Sequence, residues 1–166
     1  MTAQPPVGGR SANAGAGASS LRANDFVVDA GVAIKWYIPE VHEAEAKRLL
    51  SPTVTLHVPE LFFPEFGSIV WKKARLLKVP ELTEEEGRDI LRLLLAVDLE
   101  VHPMAPVLEP AFTIAVGPER PTVYDSCYLA LALLLGRRLV TADRAFYDAL
   151  KGGPHGAHLL WVADPI

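Results

Sequence analysis

The chain has a single cysteine, Cys127, among its 166 residues. That excludes an internal disulfide framework and any cysteine-rich zinc site, and it suits a reducing compartment. Long apolar runs are also missing. The strongest, Tyr128 to Leu135, falls far short of the ~20 residues that span a bilayer. The first residues carry no continuous apolar stretch of the kind a secretory signal needs, so the expected location is the cytoplasm. Charge of one sign is scarce as well. With 16 basic and 20 acidic residues the formal net charge is −4, which lacks the basic field of a general nucleic-acid coater. Any contact with nucleic acid must therefore be local. Neither a Gly-rich phosphate loop nor a Gly-x-Ser-x-Gly elbow occurs.

Half of the residues are hydrophobic and 22% are charged, a balance that supports a packed core, and the length fits one domain. Residues 1–24 depart from this composition. They consist largely of Gly, Ala, Ser and Pro, too little apolar surface to offset the entropy of ordering, and predict a mobile tail ahead of a domain over residues 25–166. Phe26 to Val28 reads as a strand ending at Asp29, followed by a helix over Val32 to Tyr37 that Pro39 interrupts and a second over Val41 to Leu50. Thr53 to Val58 alternates as a strand, and Leu61 to Leu77 carries a broad helical stripe. Thr83 and Glu86 form a capping box ahead of Ile90, Leu91, Leu94 and Leu95. Beyond it come a strand at Leu99 to Val101, a helix over Val107 to Val116, and another from Thr122 through Leu135 that stops at Gly136. Arg138 to Thr141 is strand-like, Asp143 opens a short helix to Leu150, and His158 to Val162 closes the chain as a strand after a Gly-Gly-Pro turn.

Short strands separated by helices call for parallel pairing, because each parallel connection needs a crossover. The expected fold is α/β, a three-layer α/β/α sandwich with a central, mainly parallel sheet. Ligands of such sheets bind beyond the carboxyl ends of the strands, where Asp29 and Asp143 are expected. Glu65 and Asp125 stand at the starts of helices. Each acid has a plainer local reading. Asp29 can serve as a turn acid, Glu65 can favour a helix dipole, Asp125 completes a Thr-x-x-Asp capping pattern, and Asp143 can be an N-cap.

Four blocks change the weighing when taken together and in order. Val28-Asp29-Ala30-Gly31-Val32-Ala33-Ile34-Lys35-Trp36-Tyr37, Val58-Pro59-Glu60-Leu61-Phe62-Phe63-Pro64-Glu65, Val123-Tyr124-Asp125-Ser126-Cys127-Tyr128-Leu129-Ala130-Leu131-Ala132 and Leu139-Val140-Thr141-Ala142-Asp143 resemble the successive motifs of the PIN-domain family, in its VapC toxin type. The resemblance runs from Phe26 to Val162. It implies that Asp29, Glu65, Asp125 and Asp143 are catalytic acids, that Asp29, Asp125 and Asp143 ligate metal, and that Thr141 supports them. It departs from the family at three places: Gly31 stands where a Ser or Thr is usual, Ser68 where Asn is frequent, and Ser126 where Ala is common.

The implied activity is that of a metal-dependent endoribonuclease that hydrolyses RNA phosphodiester bonds, leaves a 5′-phosphate and acts as the toxin of a type II toxin–antitoxin pair. The implied partners are RNA, a cognate VapB-like antitoxin whose basic side chain would reach the acids, and a second copy of the chain in a homodimer. Converging carboxylates repel one another, and an all-oxygen site suits Mg²⁺ or Mn²⁺, which activates a water and polarises the scissile phosphate. A negative pocket that receives a polyanion needs cations at its rim. Lys35, Lys72, Lys73, Arg75 and Arg144, with Arg137 and Arg138, are candidates for RNA contact, an ordinary solvated face being the plainer role. Trp36 or Tyr37 could stack a base, with core packing the plainer role.

The pair His155 and His158 lacks a visible third ligand, and Cys127 lacks a histidine partner and reads as a small buried thiol. Two other functions compete. A catalytically silent PIN fold acting as a binding module is motivated by Gly31 and the acidic net charge. A receiver domain or phosphohydrolase also places aspartates at strand ends, but Asp29 is followed by Ala30-Gly31 and no Asp-x-Asp nucleophile block forms.

Overall fold

A computed structural model describes residues 24–76, 81–119 and 121–166. The tail expected over residues 1–24 lies outside the described residues apart from Asn24, and so does Leu77 at the expected end of the long helix. Five strands form one sheet, β1 Asp25–Val28, β2 Thr55–Pro59, β3 Glu100–His102, β4 Arg138–Thr141 and β5 Leu159–Trp161, in the order β3-β2-β1-β4-β5. Every pairing is parallel. Strand β1 lies at the centre, and Phe26, Val27 and Val28 are fully buried, as expected where helices cover both faces.

Among the described residues seven α-helices connect the strands: α1 Ala30–Ala33, α2 Glu43–Lys47, α3 Phe62–Trp71, α4 Glu84–Leu94, α5 Ala105–Ala115, α6 Val123–Leu135 and α7 Arg144–Leu150. The chain steps from β1 outward to β2 and β3, then returns past β1 to β4 and β5. Parallel crossovers are right-handed, so the connections on the outward path and those on the return path cover opposite faces, which gives the three layers expected from the sequence. The direction of travel reverses between β1 and β4, and in open sheets a crevice forms beyond the strand ends at that point.

The helices are shorter at the start of the chain than the periodicity predicts. α1 passes into a 3-10 turn at Ile34–Trp36, and α2 into another at Arg48–Leu50. Pro39 separates them, because it cannot supply an amide to a continuing helix, and His42 takes a left-handed φ of 69° just before α2. α3 ends in a π-helical turn, Lys72–Leu76. The caps follow the sequence more closely. Thr83 and Glu86 close a complete capping box, and Gly136, with φ 61°, ends α6 in the left-handed conformation that glycine tolerates.

Candidate active site

Each of the four acids is placed by the end of a different element. Asp29 follows β1 directly and caps α1, its Oδ1 accepting from the Val32 amide at 2.7 Å. Its Oδ2 accepts from the Ala142 amide at 3.3 Å, which ties the end of β1 to the end of β4. Asp143 follows β4, caps α7 through Oδ1 and the Phe146 amide at 2.9 Å, and donates its own amide to Thr141 Oγ1 at 3.0 Å. Glu65 lies in the first turn of α3, which starts two residues after β2 and so at its carboxyl end. α6 finishes at the amino end of β4, with only Gly136 and Arg137 between them, so its first turn lies ~20 Å away along the helix axis, toward the carboxyl ends. That turn carries Asp125, whose Oδ2 accepts from the Thr122 hydroxyl at 2.6 Å while its amide donates to the same oxygen at 3.2 Å.

All four carboxylates line one cleft of about 360 Å³, together with Gly31, Ile34, Lys35, Glu40, Tyr128 and Thr141. The plain local readings and the functional one thus hold together: Asp29 and Asp143 are N-caps and Asp125 completes a capping pattern, yet each also faces the cleft. Among the described residues no three Asp, Glu, His or Cys side chains close into a metal-holding cluster; the acids border an open space. Mg²⁺ and Mn²⁺ fit that arrangement, because such ions keep several waters and take one or two carboxylates together with phosphate oxygens. The lining contains neither His nor Cys, the donors that zinc prefers.

The electrostatics agree with a site short of positive charge. Burial pushes the Asp29 carboxyl up to about 6, against the pull of hydrogen bonds from Thr141, Val32 and Ala142, and Glu65 adds repulsion. Burial likewise raises Glu65; the Tyr128 hydroxyl and the Lys72 charge oppose the rise, and the Asp125 charge adds to it. Neighbouring carboxylates that are this desolvated favour any cation that can enter.

The rim cations divide into groups. Lys35 lines the cleft but is held by Glu40 at 2.7 Å, and Lys73 is shared between Glu40 at 2.5 Å and Glu81 at 2.8 Å. Burial works to raise the Glu40 carboxyl, but the two lysines outweigh it and hold the group below the ordinary carboxylate range. Lys72 is exposed and close enough to act on Glu65. Arg75 pairs with Glu84 away from the cleft lining. Arg144, next to Asp143, pairs with Asp148 at 2.8 Å and lies over the Trp161 ring at 5.2 Å. Arg137 pairs with Asp25 at 3.0 Å and Arg138 covers Phe26; both stand at the amino ends of the strands, opposite the cleft.

Other sequence candidates resolve into packing. Trp36 is buried with its indole N–H donating to the Ala46 carbonyl at 3.0 Å, and Tyr37 packs edge-on against Phe66. Cys127 is buried, and that burial pushes its thiol up. His158 bonds the Arg137 carbonyl at 2.7 Å. Ser68 bonds back to the Pro64 carbonyl within its own helix, and Ser126 to that of Thr122. Sequence reasoning missed Glu40 and Tyr128. Glu40 gave little local signal: Lys35 lies five residues before it, but Lys73 comes from a distant segment. Tyr128 gave one, lying three residues after Asp125 and so on the same helical face.

Comparison with known proteins places these features in a wider set. The family model of the PIN domain matches residues 26–151. A ribonuclease named VapC3 from Pyrobaculum aerophilum is 38% identical over 121 residues, which span 72% of this chain and 89% of the relative. Among solved structures, a protein of Pyrobaculum aerophilum superposes with a TM-score of 0.59 at 25% identity, covering 81% of this chain and 85% of that one. A toxin–antitoxin complex from Klebsiella pneumoniae also reaches a TM-score of 0.59, at 13% identity over 84% of this chain and 98% of its own; at that identity the likeness concerns the fold.

Proposed function

Because the chain belongs to the PIN-domain family, we propose that it is a metal-dependent endoribonuclease that hydrolyses RNA phosphodiester bonds and serves as the toxin of a type II toxin–antitoxin pair. The observation that carries this reading is the meeting of Asp29, Glu65, Asp125 and Asp143, from four separate elements, around one cleft at the reversal point of a parallel sheet. The relative at 38% identity bears the name of a ribonuclease. The reading places the protein in the cytoplasm, with its substrate.

Asp29, Asp125 and Asp143 are the residues to hold Mg²⁺ or Mn²⁺, with Glu65 as a further ligand or as acceptor for the attacking water. When bound, the ion supplies an activated water and polarises the phosphate. The chain's own part is to aim the oxygens. Val32 and Ala142 amides fix the Asp29 carboxylate, Thr122 turns Asp125, and Thr141 anchors the Asp143 backbone while bonding Asp29. Lys72, exposed and near enough to act on Glu65, is the lysine to meet a phosphate, whereas Lys35 and Lys73 can do so only by leaving Glu40. Arg144 beside Asp143 is a further contact.

A VapB-like antitoxin would silence the site by setting a basic side chain among these acids, replacing the charge of the ion. The Klebsiella neighbour is a toxin–antitoxin complex. A homodimer finds support in α5 and its C-cap, where Leu108, Phe112 and Val116 recur every four residues and are 55%, 58% and 63% exposed, an apolar stripe left uncovered among the described residues.

The test is RNA cleavage by the full chain with and without Mn²⁺. Cleavage that leaves 5′-phosphate ends, stops with EDTA, and falls at least ~100-fold in Asp29→Asn or Asp125→Asn is expected, since even groups that only support ligands are worth 10–100-fold. Intact RNA under all conditions, with a partner still bound, would favour the silent binding module instead.

A further inference from the structure

We propose that Tyr128 is a positioning residue of this site, whose hydroxyl holds one oxygen of Glu65 and so leaves the other aimed into the cleft. The inference rests on the reading of the cleft as a metal-dependent nuclease site. Tyr128 lies one turn after Asp125 on α6 and is 2% exposed. Its hydroxyl donates to Glu65 Oε2 at 2.6 Å and takes a hydrogen bond from the backbone of Ala30. One buried oxygen thus touches α3, which carries Glu65, and the first residue of α1, whose cap is Asp29, from the helix that carries Asp125.

The direction of the bond is fixed by chemistry. A tyrosine hydroxyl has one proton to give and lone pairs to accept with, and an ionised carboxylate only accepts. A phenol keeps its proton at neutral pH, so Tyr128 is the donor in this contact. Such charge-assisted O–H···O⁻ bonds at 2.5–2.7 Å are about twice as strong as neutral ones. The Tyr128 bond joins α6 to α3 at this point. Without it Glu65 would be free to rotate about its own side chain, and the link between α3 and the Asp29 turn would be lost.

A purely structural role, in which Glu65 merely satisfies a buried phenol, makes a different forecast. Phenylalanine would fill the same space and need no partner, so Tyr128→Phe would leave function intact. The experiment measures Mn²⁺ affinity by the electron paramagnetic resonance of free Mn²⁺, alongside kcat and KM on RNA, in the native chain, Tyr128→Phe, Glu65→Gln and the double variant, with circular dichroism to verify folding. The expected result is a loss of ~10- to 100-fold in kcat for Tyr128→Phe with KM little changed, and weaker Mn²⁺ binding. In the Glu65→Gln background the same change should add almost nothing, because the carboxylate that the bond aims is already gone and only a neutral acceptor remains. Native-like binding and turnover in Tyr128→Phe, or losses that multiply fully in the double variant, would overturn the inference while leaving the nuclease reading intact. A native chain that binds no Mn²⁺ would overturn both, and Glu65→Gln supplies the same comparison from the other side of the bond if Tyr128→Phe does not fold.

Discussion

At Asp29 two demands meet on one side chain. The carboxylate caps α1 and ties β1 to β4 through backbone amides, which favours the charged form, while burial and Glu65 favour the proton and win, raising it to about 6. The folded metal-free chain therefore binds this proton more tightly than the unfolded chain. By linkage the stabilisation it confers is present at low pH and lost as pH rises from the ordinary Asp value through about 6. The shift is of a size that corresponds to about 3 kcal/mol at most. Thermal melts of metal-free protein should show this decline between pH 4 and 7 in the native chain and a smaller one in Asp29→Asn; identical slopes would contradict the assignment. The raised value of Glu65 acts in the same sense, whereas Glu40, held low by Lys35 and Lys73, acts in the opposite one.

The positions of these acids were legible in the sequence because each sits at an element boundary, where Asp and Glu leave a local trace as caps. Their company was less legible. The bond from Tyr128 to Glu65 spans 63 residues, and Glu40 joins the nearby Lys35 to the distant Lys73. The long-range half of each contact lies outside any local window. The rim cations show the converse: closeness to an acid in sequence placed Arg138 on the list, but a strand carries its two ends far apart, and Arg138 lies over Phe26 at the wrong end.

Among the elements, the strands and the later helices follow the sequence within a few residues, since β1 holds the apolar run Phe26 to Val28, β4 the pair Leu139 and Val140, and α4 and α6 have clear caps. The early helices are less regular: the break at Pro39 falls where the sequence puts it, but the left-handed His42 lies inside the second expected helix, and 3-10 turns finish both α1 and α2. β3 keeps only three residues, which is typical of a shielded edge. The capping box of α4 offers a clean check at this scale. Thr83 accepts from the Glu86 amide at 3.2 Å and Glu86 returns a bond to the Thr83 amide at 2.7 Å. Thr83→Ala should lower unfolding stability by ~1 kcal/mol in urea titration, with RNA cleavage unchanged, because α4 contributes nothing to the cleft lining. A loss of cleavage at unchanged stability would show that α4 has been misplaced in the account.

For the molecule as a whole, one sheet gathers chemistry from distant parts of the chain. Outward and return paths meet at β1 and β4, the two strands whose carboxyl ends carry Asp29 and Asp143, while α3 and α6 bring Glu65 and Asp125 to the same end. Among the described residues no helix is long and apolar enough to cross a membrane. Leu108 and Phe112 on α5 are exposed apolar side chains. The most direct test of the account is paramagnetic broadening of backbone amide signals by substoichiometric Mn²⁺. Signals of Ala30, Gly31, Ala142 and Asp143 should broaden first while those of Thr55 and Arg138, at the far end of the sheet, stay sharp, and the pattern should vanish in Asp125→Asn. Uniform broadening, or a centre at the far end, would contradict the claim that these carboxylates form one metal site.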